Sequence, residues 1–569
     1  MSSISYRVLR DVDVPMRDGA RLKTDLWLPD VERTVPVILY RTPYGKSNTS
    51  PDFLRPQQCV EAGFAAAVQD TRGRFASEGK WRPVMWDQEG LDGYDSVEWL
   101  AGQSWCNGNV GMSGPSYLGI SQLVCAALRP PHLKAIAPAL TSTAEFDRIE
   151  TGGAMRLDHI IGWVAFMALD WLQKRVAEGK PPTPQEAALV FAAVQDPRSL
   201  FDQRPLRDIA LFKLPGFPIG FDELMSALES TENIDARDIE IPVLHTGGWY
   251  DVFARSTVGM FRRQTEAGHR HSHLLMGCWT HAGTLPQYHG QVNFGVMASG
   301  AAARVHEQHL NFFRQHLLQE EVRAPRVKYF LMGANTWHEA EAWPPAGTSA
   351  RRFYLHEGQS HRELSVDAPG SPQSAASYVY DPAHPTPSCG GRTLYLGRLA
   401  MGPIDQAPLQ RRTDVLSYLG QPLTEAMDVV GSVTAQLHVS STAPDTDFIV
   451  KLVDVSADQI AFAPFLRKAH CAMRFGRFKG SFRAPQAYVP GTVERITISL
   501  GDVAWRVPPG HRLCLQIQSA NYPHLDPNMN TGGALGADAS GVAATNRIHH
   551  DPERLSWIEV SVVSATTRQ

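Results

Sequence analysis

The stretch Gly108-Asn109-Val110-Gly111-Met112-Ser113-Gly114-Pro115-Ser116-Tyr117-Leu118-Gly119 decides the fold. Residues 108–113 read as a short apolar strand. From Ser116 to Leu128 the apolar residues recur at helical spacing, until Pro130-Pro131 stops them. A serine between a strand and a helix, with glycines beside it, is the setting of a nucleophile elbow. There a sharp turn lifts the hydroxyl to the helix N-terminus, and small neighbours are needed because backbone segments come close. One feature departs from G-x-S-x-G: Leu118 holds the last position and the second glycine follows at Gly119. Taken alone, a Gly-x-Ser fits an ordinary surface turn equally well, so the surrounding chain has to decide.

Working outward, residues 35–40, 63–68 and 133–138 read as buried strands. Between them, Asp87 to Leu100 is an amphipathic helix with Leu91, Tyr94, Val97 and Leu100 at helical spacing. Strands alternating with helices predict an α/β unit, a mostly parallel sheet covered on both faces. Over residues 146–238 helical periodicity dominates (Met155 to Val176, Thr183 to Val194), which reads as a helical insertion. The α/β pattern resumes with a strand at 241–246, a helix at 252–267, a strand at 274–276 and a helix at 301–318. After about residue 350, segments such as 432–439, 448–455, 493–500, 512–517 and 557–562 alternate in polarity between Gly, Pro, Ser and Asp. That texture predicts a C-terminal β-sandwich of jelly-roll type. The expected division is 1–145, 146–238, 239–350 and 351–569, the first and third segments forming one discontinuous α/β unit.

A serine nucleophile needs a base, and the base needs a carboxylate to orient it. In an elbow-bearing sheet these follow in the order Ser, acid, His, on loops after late strands. Asp251 follows the strand at 242–246 through Gly247-Gly248-Trp249-Tyr250, and His281 follows the strand at 273–276 through Gly277-Cys278-Trp279-Thr280. Both stand at C-terminal strand ends, where sites of open α/β sheets lie. An oxyanion hole is also required, and the N–H of Tyr117, next to the serine, is one donor. The loop Arg41-Thr42-Pro43-Tyr44-Gly45-Lys46 offers no N–H at Pro43, so the Tyr44 hydroxyl is the candidate for the second.

RTPYGKS (41–47), QDTRGRFASEG (69–79), GPSYLG (114–119), GGWYDVF (247–253) and GCWTHAG (277–283) are spread in order along the chain. TDFIVKLVDV (446–455), PPGHRLCLQI (508–517) and NTG (530–532) continue the series. Together they resemble the cocaine esterase group of α/β-hydrolases, which is related to α-amino-acid ester hydrolases, glutaryl acylases and X-prolyl dipeptidyl aminopeptidases. The resemblance implies an α/β-hydrolase fold with an inserted helical cap and a C-terminal jelly roll. It also implies the triad Ser116, Asp251 and His281, with the Tyr44 hydroxyl and Tyr117 N–H as oxyanion donors.

The expected activity is that of a serine esterase working through an acyl-enzyme on small-molecule esters, with amides second. In the α-amino-acid ester hydrolases two acids of a carboxylate cluster closely follow the triad Asp and hold the substrate ammonium. Here those positions are Val252, Phe253 and Ala254, with no acid, although Asp147 and Glu150 remain as sources of one negative charge. A buried ammonium without a carboxylate is costly, so an uncharged apolar or aromatic acyl group is expected. Phe253, beside Asp251, and Trp163, Phe166 and Trp171 of the cap are the candidate pocket residues. Cap aromatics at helical spacing are more often core than pocket. The alternatives are an Xaa-Pro dipeptidyl peptidase, a β-lactam or glutaryl acylase, and a non-catalytic carbohydrate-binding protein on a hydrolase fold.

Composition excludes other classes. The 569 residues carry 54 Lys and Arg against 58 Asp and Glu, net −4, with no surplus of positive charge for a phosphate backbone, so no nucleic acid is expected. The longest apolar run, Ile160 to Leu169, is half of the roughly 20 residues that a membrane span needs, and the first residues hold no apolar core of signal-peptide length. Seven scattered cysteines without a CxxC predict reduced thiols, no structural zinc and a cytoplasmic setting. His269, His271 and His273 alternate but read as the polar start of a strand, and no metal or cofactor is expected. Asp70-Thr71-Arg72-Gly73-Arg74 reads as a loop fixed by hydrogen bonds, and Trp249 and Trp279 as packing beneath the site. A homo-oligomer is left open.

Overall fold

A computed structural model describes residues 5–48, 50–82, 86–143, 154–224, 234–358, 361–394, 400–458, 461–471 and 488–563, with the backbone alone for 461–471. The first sheet has ten strands: β1 (Tyr6–Pro15), β2 (Arg21–Pro29), β3 (Val35–Thr42), β4 (Ala65–Asp70), β5 (Cys106–Pro115), β6 (Leu133–Ala139), β7 (Val243–Tyr250), β8 (Ser272–Thr280), β9 (Val327–Leu331) and β10 (Thr336–Ala340). Their spatial order is β1-β2-β4-β3-β5-β6-β7-β8-β9-β10. The stretch from β4 to β9 is parallel, and antiparallel strands close both edges. Strands β3, β4 and β7 are buried at every position, as a sheet covered on both faces requires.

The two faces belong to different cores, with the period of two that a strand imposes. Val37, Leu39, Val110 and Met112 pack with Val97, Leu100 and Leu123 from helices α2 (Trp86–Ala101) and α3 (Tyr117–Ala127), which follow the short α1 (Pro56–Glu61). Ile38, Tyr40, Ala66 and Val68 join the opposite core, which holds Phe313 and Leu317 of a helix at Val305–Leu317. Helix α2 forms where its spacing predicts, but its buried face is turned. Gly90, Gly93, Ser96, Val97 and Leu100 are buried, whereas Leu91 and Tyr94 are half-buried. The reason is close approach: a Cβ on Gly93 would lie 2.8 Å from Cys125, and one on Gly90 2.9 Å from the Val124 carbonyl oxygen.

The insertion is helical, with α4 (Leu157–Ala177) and α5 (Pro184–Gln195) packed around Leu157, Ile161, Val164 and Val190. Thr183 caps α5 reciprocally: its hydroxyl accepts from Glu186 N at 3.2 Å, and the Glu186 carboxylate accepts from Thr183 N at 2.6 Å. A second sheet of eleven strands begins at Thr348, inside the segment expected to close the α/β unit, because Thr348–Glu357 pairs with Trp557–Val563. It is antiparallel except where Arg362–Ser365 meets Leu416–Gly420. This β-rich unit reaches the cap through a strap. Leu157 N donates to His524 O and Asp158 N to Pro523 O, both at 3.1 Å, and Asp526 N donates to Met155 O at 2.9 Å. The Asp526 carboxylate accepts from Met155 N, and His524 Nδ1 lies 3.3 Å from the buried Asp158 carboxylate. Among the described residues no helix is long and apolar enough to cross a membrane.

Candidate active site

The elbow forms where β5 hands over to α3. Ser116 stands before the first helical residue at φ 59° and ψ −124°, a backbone conformation costly for a residue with a side chain and held by its surroundings. Ser116 N donates to Ala139 O at 2.9 Å, and the Thr141 hydroxyl donates to Ser116 O at 2.8 Å. The displaced second glycine now has a reason. Gly114 (φ 132°) abuts Leu118, whose Cβ would lie 2.7 Å from an added methyl, so Leu118 fits against a glycine instead of being one. The close approach to the neighbouring strand exit falls one residue later, where a Cβ on Gly119 would meet Thr141 at 2.5 Å.

Asp251 and His281 each follow the last residue of a parallel strand, β7 and β8. His281 Nδ1 is 2.7 Å from Asp251 Oδ1, and His281 Nε2 is 3.1 Å from Ser116 Oγ. One tautomer serves both contacts, with Nδ1–H donating to the fully buried carboxylate and Nε2 accepting from the serine hydroxyl. Beneath them Trp249 and Trp279 are fully buried, and their indole N–H groups donate to Phe330 O and Ala298 O at 2.8 Å. Arg392 of the β-rich unit donates to Trp249 O and to Asp502 O, both at 2.8 Å, which ties the end of β7 to the second sheet.

On the other side of Ser116, the loop after β3 carries Tyr44. Buried Arg74 donates to Pro43 O at 3.0 Å and to Met167 O of the cap at 3.1 Å, and lies 3.4 Å from Asp170. Gly45 stands at φ 94°, where an added Cβ would lie 3.2 Å from the Phe75 ring. Arg72 pairs with Asp92 and Asp18, at 2.6 and 2.8 Å, and the Asp70 carboxylate accepts from Lys46 N at 2.7 Å. The 70–74 loop is thus fixed by hydrogen bonds, with Arg72 bonded beyond the loop and not to Asp70. Burial pushes Asp70 up to about 6. The Tyr44 hydroxyl accepts from Trp163 Nε1 at 3.3 Å, and burial raises its pKa against the opposing pull of Trp163 and Ser116. Tyr117, the first helical residue, has no carbonyl one turn back to receive its N–H. Its phenol is buried against Glu89, which pairs with fully buried Arg41 at 2.6 Å.

Ser116 and His281 open into a cavity of about 460 Å³ walled by Tyr44, Leu118, Ile160, Trp163, Phe166 and Phe253. Phe253 meets His281 edge-on, with ring centres 5.3 Å apart. Trp171 does not line this cavity. It lies five residues beyond Phe166, about 140° further round the helix. There its N–H donates to Gly216 O at 3.2 Å, and its ring packs on Phe217 and under Arg175. Three lining residues with charged or imidazole side chains carry no sequence signal: Asp52, Arg156 and His159. The Arg156 guanidinium lies 5.4 Å from the centre of the Phe253 ring, and burial, with the charge of Arg156 beside it, drives the His159 pKa well below its usual value. Asp147 and Glu150 lie outside the described residues. His271 and His273 pack against the His316 ring at 5.7 and 6.5 Å, and His273 Nδ1 bonds to Pro325 O. Among the described residues no three His, Cys, Asp or Glu side chains gather as a metal site.

Residues 18–283 match the X-Pro dipeptidyl-peptidase (S15) family, and residues 320–559 match the X-Pro dipeptidyl-peptidase C-terminal non-catalytic domain. The chain is 34% identical to the cocaine esterase of Rhodococcus sp. (strain MB1 Bresler) over 586 aligned residues, which span 98% of this chain and 99% of that one. Two solved structures share the fold at 23% identity and a TM-score of 0.75, each covering 99% of this chain and 97% of their own. One is an α-amino acid ester hydrolase and the other an aminopeptidase from a marine sediment archaeon, Thaumarchaeota archaeon.

Proposed function

The chain belongs to the cocaine esterase group of α/β-hydrolases, and on that premise we propose that Ser116, Asp251 and His281 are its catalytic triad. Serine hydrolase chemistry comes with the family. The reading rests on one observation, the continuous chain from Asp251 through His281 to Ser116 (2.7 and 3.1 Å) at the mouth of an apolar cavity. His281 Nε2 takes the hydroxyl proton as Ser116 Oγ attacks an acyl carbonyl, while Asp251 holds the Nδ1–H and steadies the imidazolium. The tetrahedral oxyanion receives the Tyr44 O–H and the Tyr117 N–H. Collapse expels the alcohol with the proton from His281. A water deprotonated by the same nitrogen then cleaves the acyl-enzyme and restores the Ser116 hydroxyl.

The substrate we assign is a small ester with an uncharged aryl or branched alkyl acyl group, which Phe253, Trp163 and Phe166 would surround. A cavity of about 460 Å³ is of ligand size. Of the lining residues, buried Arg156 adds a positive charge beyond Phe253, its guanidinium also donating to Val252 O at 3.3 Å, and the carboxylate of Asp52 is engaged by backbone N–H groups. This disfavours the ammonium of α-amino-acid esters and Xaa-Pro dipeptides. It favours, as the second reading, an acyl chain ending in a carboxylate, as for a glutaryl acylase. A non-catalytic carbohydrate binder is set aside by membership of an enzyme group. For the domains we propose the division at residues 145, 238 and 350, the last brought back by the few residues from Thr348 that already pair in the second sheet. We also retain a cytoplasmic setting, with which the free thiols of Cys59, Cys106, Cys125, Cys278, Cys389 and Cys514 agree. A fluorophosphonate should label the wild type and not Ser116→Ala. In a panel of neutral, amino and carboxyl acyl esters the neutral ones should react fastest, and a preference for the amino esters would overturn the substrate assignment.

A further inference from the structure

Asp52 sits in the loop between β3 and a short helix at Pro56–Glu61, far in sequence from His281. One of its carboxylate oxygens, Oδ1, accepts from Thr284 N at 2.8 Å and from Leu285 N at 2.9 Å. Its main-chain carbonyl accepts from the Thr284 hydroxyl at 3.2 Å, and the Ser50 hydroxyl donates to Oδ2 at 3.4 Å. Between His281 and these amides lies Gly283, at φ 126°, where a Cβ would fall 2.5 Å from the Asp52 carboxylate. The glycine is therefore what lets the carboxylate approach. The buried Thr284 is gripped from its other side by Gly300 N, which donates to Thr284 O at 2.7 Å. The turn that carries the imidazole is thus closed by a residue from the loop that also carries Tyr44.

We propose that Asp52 is a positioning residue for His281, gathering the two N–H groups at Thr284 and Leu285 so that the imidazole is held in line between Asp251 and Ser116. The proposal rests on His281 being the general base. Two charge-assisted bonds to one oxygen fix a turn better than either alone, and a displacement of about 1 Å in a catalytic base is enough to cost ~10²-fold in rate. Asp52 acts through His281 and takes no part in proton transfer.

The test compares wild type, Asp52→Ala, Asp52→Asn and Gly283→Ala on a p-nitrophenyl acyl ester, with and without His281→Ala. Asp52→Ala should lower kcat by about 10–100-fold with KM little changed. Asp52→Asn keeps an Oδ1 able to accept both N–H groups and should restore most of kcat. Gly283→Ala leaves the acid in place but pushes it away, so it should reproduce the loss even if Asp52→Ala does not fold. In the His281→Ala background, adding Asp52→Ala should change nothing further. An undiminished additional loss there, or full kcat in Asp52→Ala and Gly283→Ala, overturns the Asp52 assignment while Ser116-dependent turnover stands. Turnover that survives Ser116→Ala overturns the serine mechanism itself and this assignment with it.

Discussion

The catalytic end of the α/β unit and one polar row inside the β-rich unit bury charge in opposite ways. Around the elbow three buried groups meet their opposites: Arg41 and Glu89 at 2.6 Å, Arg74 and Asp170 at 3.4 Å, His281 and Asp251 at 2.7 Å. In the second sheet Lys451 is fully buried, and among the described residues it reaches the neutral amide of Gln406, at 3.3 Å, and no carboxylate. Its cross-strand neighbour is Gln516, which in turn pairs with Ser417. Among the described residues both amide atoms of Gln516 and the Ser417 hydroxyl find no hydrogen-bond partner. Burial brings the Lys451 pKa down to about 7. Where polar groups hold a reacting geometry they are coupled, so removing one strands its partner. In the sheet interior the polar row is uncoupled, and removing a member relieves a cost.

That contrast can be broken at either end. Ser116→Ala should lower ester hydrolysis by about 10⁴-fold or more, measured as initial rate, with the cavity otherwise intact. Arg41→Met leaves Glu89 buried without its cation and should cost about 3–5 kcal/mol in urea unfolding; wild-type stability would mean that the pair is not coupled. Tyr44→Phe should reduce kcat by about 10²–10³ with an unchanged melting temperature, and an unchanged kcat would remove Tyr44 from the oxyanion hole. Lys451→Met should instead stabilise the protein, by roughly 1–4 kcal/mol at pH 6. The sign follows from linkage. Below about pH 7 Lys451 is charged in both states, and the folded state carries the whole penalty. As pH rises from 7 towards 10.5 the folded protein loses this proton while the unfolded chain keeps it, so the wild type gains stability and the advantage of the variant shrinks. A gain independent of pH would assign the effect to packing.

The parts of this molecule that the sequence makes legible are those fixed by local pattern. Strand, Gly-Pro-Ser and helix at 106–127 show an elbow, and the C-terminal ends of two later strands show Asp251 and His281, because chain order and strand exits are local facts. What escapes is set by contacts across the chain. Strand β1 is exposed along most of its length, and the alternation of Val8, Val12 and Val14 is broken at Leu9-Arg10-Asp11, where its pairing with β2 shifts register. The buried face of α2 is chosen by the nearness of α3, which makes glycines, not Leu91 and Tyr94, the contact. Phe166 and Trp171 are equivalent as residue types, and the helix phase puts only the first on the cavity. Arg156 and His159 stand three residues apart at the start of α4, but Asp52 reaches the wall from a distant loop, and nothing local marks the three as neighbours.

The strap between Met155–Asp158 and Pro523–Asp526 has a consequence for how the protein is made. Its partners stand 371 residues apart, as in the bond between Met155 and Asp526. At about 5–20 residues per second, a ribosome adds the second roughly 20–75 s after the first. Once His281 has been made, for the rest of that interval the triad segments can all be in place while Arg156 and His159, next to the strap, lack their final anchorage. The nascent chain therefore holds an exposed cap flank for most of its synthesis, and the finished pocket is among the last features of the molecule to exist.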